Sequence, residues 1–126
     1  MVMEFVVSGF KWVMLAGGLI TLSMLQAFFV PRNAFLALLG EAPEGPLPLL
    51  LARNWGVLIA LTGAMLIWGA FHPEVRPLVL VVAGTSKLAF IGLVFSHPPF
   101  RRKAVLPLMV DGTLVVLFAA YLIATL

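Results

Sequence analysis

The sequence has no cysteine and very few charged residues. Without cysteine, the 126-residue chain cannot form disulfides, thiolate nucleophiles, Cys-ligated zinc sites or iron–sulfur clusters. Charged residues make up 10% of the chain, whereas a soluble domain has roughly a quarter. Eight basic and five acidic side chains cannot cover the surface of so small a water-soluble fold. With 63% hydrophobic residues and a mean hydropathy of +1.15, the composition predicts an integral membrane protein.

The sequence also has no recognisable catalytic signature. It contains no Gly-rich phosphate loop, no Ser-His-Asp set and no cluster of metal ligands. The net charge of +3 is spread along the chain and forms no basic stripe of the kind that binds nucleic acid. We therefore assign no catalytic residue, no metal ligand and no nucleic-acid partner, and the sequence favours a non-enzymatic role over an enzymatic one.

Apolar runs divide the chain into four spans. Each is about as long as the 20 residues that a helix needs to cross a bilayer core. Prolines such as Pro31 and Pro73 follow the span ends, as expected of residues that stop helices. The predicted spans cover residues 12–30 (Trp12 to Val30), 51–71, 78–96 and 104–126. We predict one membrane domain over residues 1–126, an all-α protein folded as a four-transmembrane-helix antiparallel bundle.

The connection between the first two spans is the longest. Asn33 to Gly40 has an N-cap candidate, an apolar run and a terminal glycine, which predicts a short helix too short to span. We expect this helix to lie at the membrane interface. The other two loops are tight, so helices two, three and four should be antiparallel neighbours.

Basic residues predict the topology. Loops one and three carry five of them, and the opposite side carries Lys11 and Arg76. The five are Arg32, Arg53, Arg101, Arg102 and Lys103. The positive-inside rule places loops one and three in the cytoplasm and both termini outside, in a multi-pass protein of the cell (inner) membrane.

Two charges, Lys87 and Asp111, interrupt the third and fourth spans. A charge inside a span normally faces a partner or a cavity. At about 1.5 Å per residue, both lie some 12–15 Å from the loop that joins these spans, so they can meet. A meeting pair has two interpretations, a buried salt bridge that sets the helix register and a proton or ligand site.

Other polar residues lie in the same half of the predicted bilayer. Gln26 is near the end of the first span, and Arg53 and Asn54 are at the same end of the second. Together with Lys87 and Asp111 they predict a ligand pocket with a cationic rim, a neutral pair deeper inside and apolar walls. Such a pocket suits a quinone, a fatty acid or a lipid.

Small residues recur at helical spacing in three spans. They predict helix faces that approach closely in lipid, more often within one bundle than between copies. The candidates are Gly56, Ala60, Gly63 and Ala64 in the second span, Gly84 and Gly92 in the third, and Gly112, Val116, Ala120 and Ala124 in the fourth.

The stretch from Leu51 to Gly56, followed by Gly63 and by Pro73-Glu74-Val75-Arg76, resembles the DoxX-like group of small four-helix bacterial membrane proteins. An Arg-x-x-Gly pattern opens the second helix of that group, here Arg53 and Gly56, and Gly40 ends a similar Leu-Leu-Gly in the preceding loop. Some members are linked to quinone or thiosulfate redox chemistry. The resemblance implies a similar fold and redox context, but the lack of cysteine excludes thiol-based chemistry.

Three functional hypotheses stay open at this point. In the first, the chain is a non-enzymatic binder of a small amphiphile or a scaffold for another membrane protein. In the second it is a quinone-linked redox accessory subunit, and in the third it is a small oligomeric transporter. The implied partners are membrane lipid, a small amphiphilic ligand, and a second copy or another membrane protein. No cofactor is required, although a quinone or a lipid would fit.

Overall fold

The computed structural model describes residues 2–125, and Met1 and the last residue of the fourth predicted span, Leu126, lie outside them. Within that range every regular element is helical, and the all-α prediction is confirmed. The α-helices are α1 (Val2–Leu22), α2 (Gln26–Phe29), α3 (Pro31–Leu39), α4 (Pro46–Phe71), α5 (Arg76–Phe95), α6 (Pro98–Lys103) and α7 (Val105–Thr125), and 3-10 turns lie at Ser23–Leu25 and Pro73–Val75.

Within the described residues, four segments are long and apolar enough to cross a membrane, which confirms the number of predicted spans. They are Glu4–Phe29, Pro46–Phe71, Pro73–Phe95 and Val105–Thr125. The first segment begins before the predicted Trp12, so the charge of Lys11 does not end the helix. The Lys11 ammonium instead lies against two aromatic rings, 5.2 Å from the ring centroid of Trp12 and 5.1 Å from that of Phe71. The second begins at Pro46, since proline is tolerated at the first helical position.

The short helix α3 begins at Pro31, with Val30 before it, so the prediction that Asn33 is the N-cap was wrong. Proline at the first position and the non-helical backbone of Val30 before it start the helix without a side-chain cap. Its end at Gly40 is as predicted, with a left-handed φ of 79°. A Cβ at Gly40 would meet the side chain of Lys103, so the end of α3 packs on the end of α6, a helix that the sequence analysis missed.

Helices α1 and α2 pack against the small-residue face of α4. A Cβ added to Gly63 would lie 2.7 Å from the Gly18 carbonyl oxygen, and one added to Gly56 would lie 2.8 Å from the Cβ of Ala27. The small-residue prediction is therefore confirmed for Gly56, Ala60 and Gly63 of α4, which are buried, whereas Ala64 is exposed. For α5 and α7 the preferred interpretation, packing within one bundle, was wrong, because in the described chain a Cβ at Gly84, Gly92 or Gly112 would meet no atom within 4 Å. Packing of these two faces between copies stays a prediction.

Two cations are buried, Lys87 in the middle of α5 and Arg76 at its start. Arg76 is 1% exposed. Its guanidinium donates hydrogen bonds to the carbonyl oxygens of Gly69 (2.8 Å), Ala70 (2.9 Å) and Val7 (2.8 Å) and to the Tyr121 hydroxyl (3.1 Å). Arg76 thus connects the start of α1, the ends of α4 and α7, and its own helix α5.

Candidate functional site

Lys87 of α5 and Asp111 of α7 form an ion pair. The Lys87 Nζ donates a hydrogen bond to the Asp111 Oδ1 at 3.0 Å. The Lys87 side chain is 7% exposed and that of Asp111 is 20% exposed. The prediction that the two charges meet is confirmed, because they lie at matching distances from the segment that joins the two helices.

Thr21 connects the pair to α1. The Lys87 Nζ donates a second hydrogen bond to the Thr21 Oγ1 at 3.1 Å, and that hydroxyl donates to the Gly17 carbonyl oxygen at 2.7 Å. The sequence analysis did not identify this role of Thr21.

The Lys87–Asp111–Thr21 cluster lies in the wall of a central cavity of about 210 Å³. All four long helices and α3 contribute to the walls. The polar lining residues are Thr21, Thr62, Ser86, Lys87 and Asp111, and the apolar ones are Ile20, Met24, Leu38, Trp55, Ile59, Phe90, Leu106, Pro107 and Val110. The volume is below the roughly 300–1,000 Å³ typical of pockets that enclose a drug-sized ligand. The cavity therefore fits a headgroup or part of a chain rather than a whole amphiphile.

The cavity lies where α1 and α7 separate. These helices touch at one end, where the Phe10 ring stacks on Tyr121 with centroids 4.3 Å apart and Gly17 faces Leu114. Beyond this contact, the cavity-lining residues Ile20 and Leu106 are 48% and 72% exposed. We call this gap between Ile20 of α1 and Leu106 of α7 the seam.

The structure does not bring the five predicted pocket residues together. Lys87 and Asp111 line the central cavity, whereas Arg53 and Asn54 line a separate surface groove, and Gln26 is exposed on α2 and lines neither. The physical reason is helix rotation. On α4 the side chain after Asn54, Trp55, faces the cavity, so residues at one depth point in different directions around the axis.

The cavity offers both a donor and an acceptor. A lysine ammonium has three N–H donors, and Lys87 uses two of them, on Thr21 and Asp111. Among residues 2–125, the Asp111 carboxylate receives its one hydrogen bond from Lys87 at Oδ1. A ligand in the cavity can therefore accept a hydrogen bond from Lys87 and donate one to the second oxygen of Asp111.

Comparisons with protein-family models, curated proteins and solved structures find no match to this chain.

Proposed function

We propose that this chain is a DoxX-like, antiparallel four-helix protein of the cell (inner) membrane that binds one small amphiphile in its central cavity. Loops one and three face the cytoplasm in this proposal, α3 lies at the interface, and the termini are outside. The observation that best supports this proposal is the Lys87–Asp111–Thr21 cluster in the wall of a mostly apolar cavity. A pair with only a structural role needs no cavity beside it.

The ligand in this proposal has a polar head and an apolar tail. Its head accepts a hydrogen bond from Lys87 and donates one to Asp111, and its tail leaves through the seam between Ile20 and Leu106. Entry through the seam from the hydrocarbon requires no transfer through water, and the ion pair is net neutral. A neutral head with carbonyl or hydroxyl oxygens therefore suits the site better than a second full charge.

The second candidate is a quinone-linked redox accessory subunit. Two aromatic side chains of the cavity wall favour it, since the rings of Trp55 and Phe90 lie with centroids 6.4 Å apart and planes 34° from parallel. A flat quinone head can pack on such faces while its carbonyl accepts from Lys87. The quinone supplies the redox chemistry in this case, and the protein supplies binding and orientation.

The test is the mass and amount of small molecule retained by purified protein, measured by native mass spectrometry in mild detergent. We expect the wild type to hold one amphiphile. Ser86→Leu, which fills part of the cavity, should lose it, whereas Thr85→Leu, at the exposed neighbouring position that does not line the cavity, should keep it. The double variant Lys87→Met/Asp111→Leu should also lose it.

A retained quinone, identified by its mass and its redox difference spectrum, supports the second candidate. A retained fatty acid or lipid supports simple binding. A wild type that retains nothing after purification from its native membrane, or equal retention by Ser86→Leu and Thr85→Leu, refutes the proposal.

A further inference from the structure

A second concave surface lies outside the central cavity, on the outward face of α4. It is a groove of about 530 Å³ formed by Pro46, Leu49, Leu50, Arg53, Asn54 and Val57 of α4 and by Phe28 of α2. The α4 positions recur at intervals of three and four residues, so they form one continuous stripe along the helix. We call this surface the Arg53 groove. None of its residues lines the central cavity.

The groove combines one cation with apolar walls. Arg53 and Asn54 are both exposed and adjacent, while Phe28, Leu50 and Val57 supply hydrocarbon. Within residues 2–125 the one salt bridge joins Lys87 and Asp111, so Arg53 has no carboxylate partner there. The guanidinium presents paired N–H donors that match a phosphate in two places, and the Asn54 amide adds a neighbouring donor.

Arg53 lies on α4 at about one bilayer thickness from the far end of the helix. From Asn54 to Phe71, where α4 ends, the helix rises about 27 Å, which is close to the roughly 30 Å thickness of a bilayer core. A membrane core placed over these residues puts Arg53 at the level of the lipid phosphates and Val57 one turn deeper.

We infer that the Arg53 groove binds an anionic phospholipid, with its phosphate on Arg53 and Asn54 and an acyl chain along Phe28 and Val57. The charge favours a lipid with a net negative headgroup over a zwitterionic one. This site is separate from the central cavity and does not depend on its ligand.

The test titrates the full-length protein in detergent with phosphatidylglycerol and with phosphatidylcholine of the same acyl chains, and native mass spectrometry counts the bound lipid. We expect the wild type to prefer phosphatidylglycerol. Arg53→Gln should weaken its binding about tenfold, as expected for losing a hydrogen bond to a charged group. The control Arg102→Gln, at an exposed residue of α6 that lines neither cavity, should weaken it fivefold at most.

A second matched pair keeps Arg53 intact. Leu50→Glu places a carboxylate in the groove and should also weaken phosphatidylglycerol binding about tenfold, whereas Leu51→Glu, at an exposed position outside the groove, should change it much less. Equal effects of Arg53→Gln and Arg102→Gln, or of Leu50→Glu and Leu51→Glu, would show diffuse attraction to basic residues and would overturn the inference. Unchanged helical circular dichroism verifies that each variant folds.

Discussion

Replacing Asp111 with Asn tests the ion pair most directly. Asparagine has nearly the same shape as aspartate, so the substitution removes the negative charge with little change in packing. It leaves Lys87, whose side chain is 7% exposed, without a counter-ion or forces it to lose its proton. Breaking a buried pair by removing one partner typically costs about 3–5 kcal/mol.

The expected loss for Asp111→Asn lies near the lower end of that range, about 3 kcal/mol. Asp111 is 20% exposed, so its carboxylate is not fully enclosed by protein, and the Asn amide oxygen can still accept a hydrogen bond from Lys87. Thr21→Val removes only one neutral partner of Lys87 and should cost about 1 kcal/mol, as interhelical hydrogen bonds in membranes do. The double variant Lys87→Met/Asp111→Leu removes both charges and should recover most of the stability.

Unfolding in mixed micelles of dodecyl maltoside and SDS, followed by circular dichroism, measures these free energies. Glu74→Gln is the control, because Glu74 is an exposed acid in the 3-10 turn between α4 and α5. It should leave the free energy of unfolding within about 0.5 kcal/mol of the wild type. If Asp111→Asn behaves like Glu74→Gln, the pair contributes nothing and the reasoning is wrong.

Three further predictions concern the rest of the fold. Gly63→Ala should destabilise by several kcal/mol in the same unfolding assay, because its Cβ would meet the backbone of α1. Gly84→Ala, with open space around it among the described residues, should be neutral or slightly stabilising. Arg76→Met should also destabilise strongly, because it removes four buried or part-buried hydrogen bonds, to the carbonyl oxygens of Val7, Gly69 and Ala70 and to the Tyr121 hydroxyl, and Arg76→Lys should rescue it only in part. A reporter fused to the C-terminus should be extracytoplasmic, and a cytoplasmic signal would contradict the topology inferred from the basic residues.

Distances along helices could be predicted from the sequence. The number of spans followed from the lengths of the apolar runs. The contact between Lys87 and Asp111 followed from counting residues from each of them to the loop that joins their two helices. Both quantities depend on the fixed rise of an α-helix, so no knowledge of side-chain direction was needed.

Rotation about the helix axes could not be predicted. Adjacent residues on a helix point about 100° apart, so Asn54 and Trp55 lie on different surfaces although their depths are nearly equal. In a lipid-facing helix both sides are apolar, and no hydrophobic stripe reveals which side faces the core. Four of the five predicted pocket residues are therefore divided between two surfaces and Gln26 lies on neither, and the small residues of α5 and α7 were assigned to packing within the bundle that the described residues do not show.

The two buried cations show how a structural charge differs from a candidate binding group. The guanidinium of Arg76 makes four hydrogen bonds to protein atoms, lies buried against the Tyr121 ring, and lines neither cavity described above. Lys87 makes two hydrogen bonds, retains a third donor, and borders open volume. Burial alone would rank Arg76 first, because it is the less exposed of the two. Unused hydrogen-bonding capacity next to a cavity is the better criterion, and it selects Lys87 with Asp111.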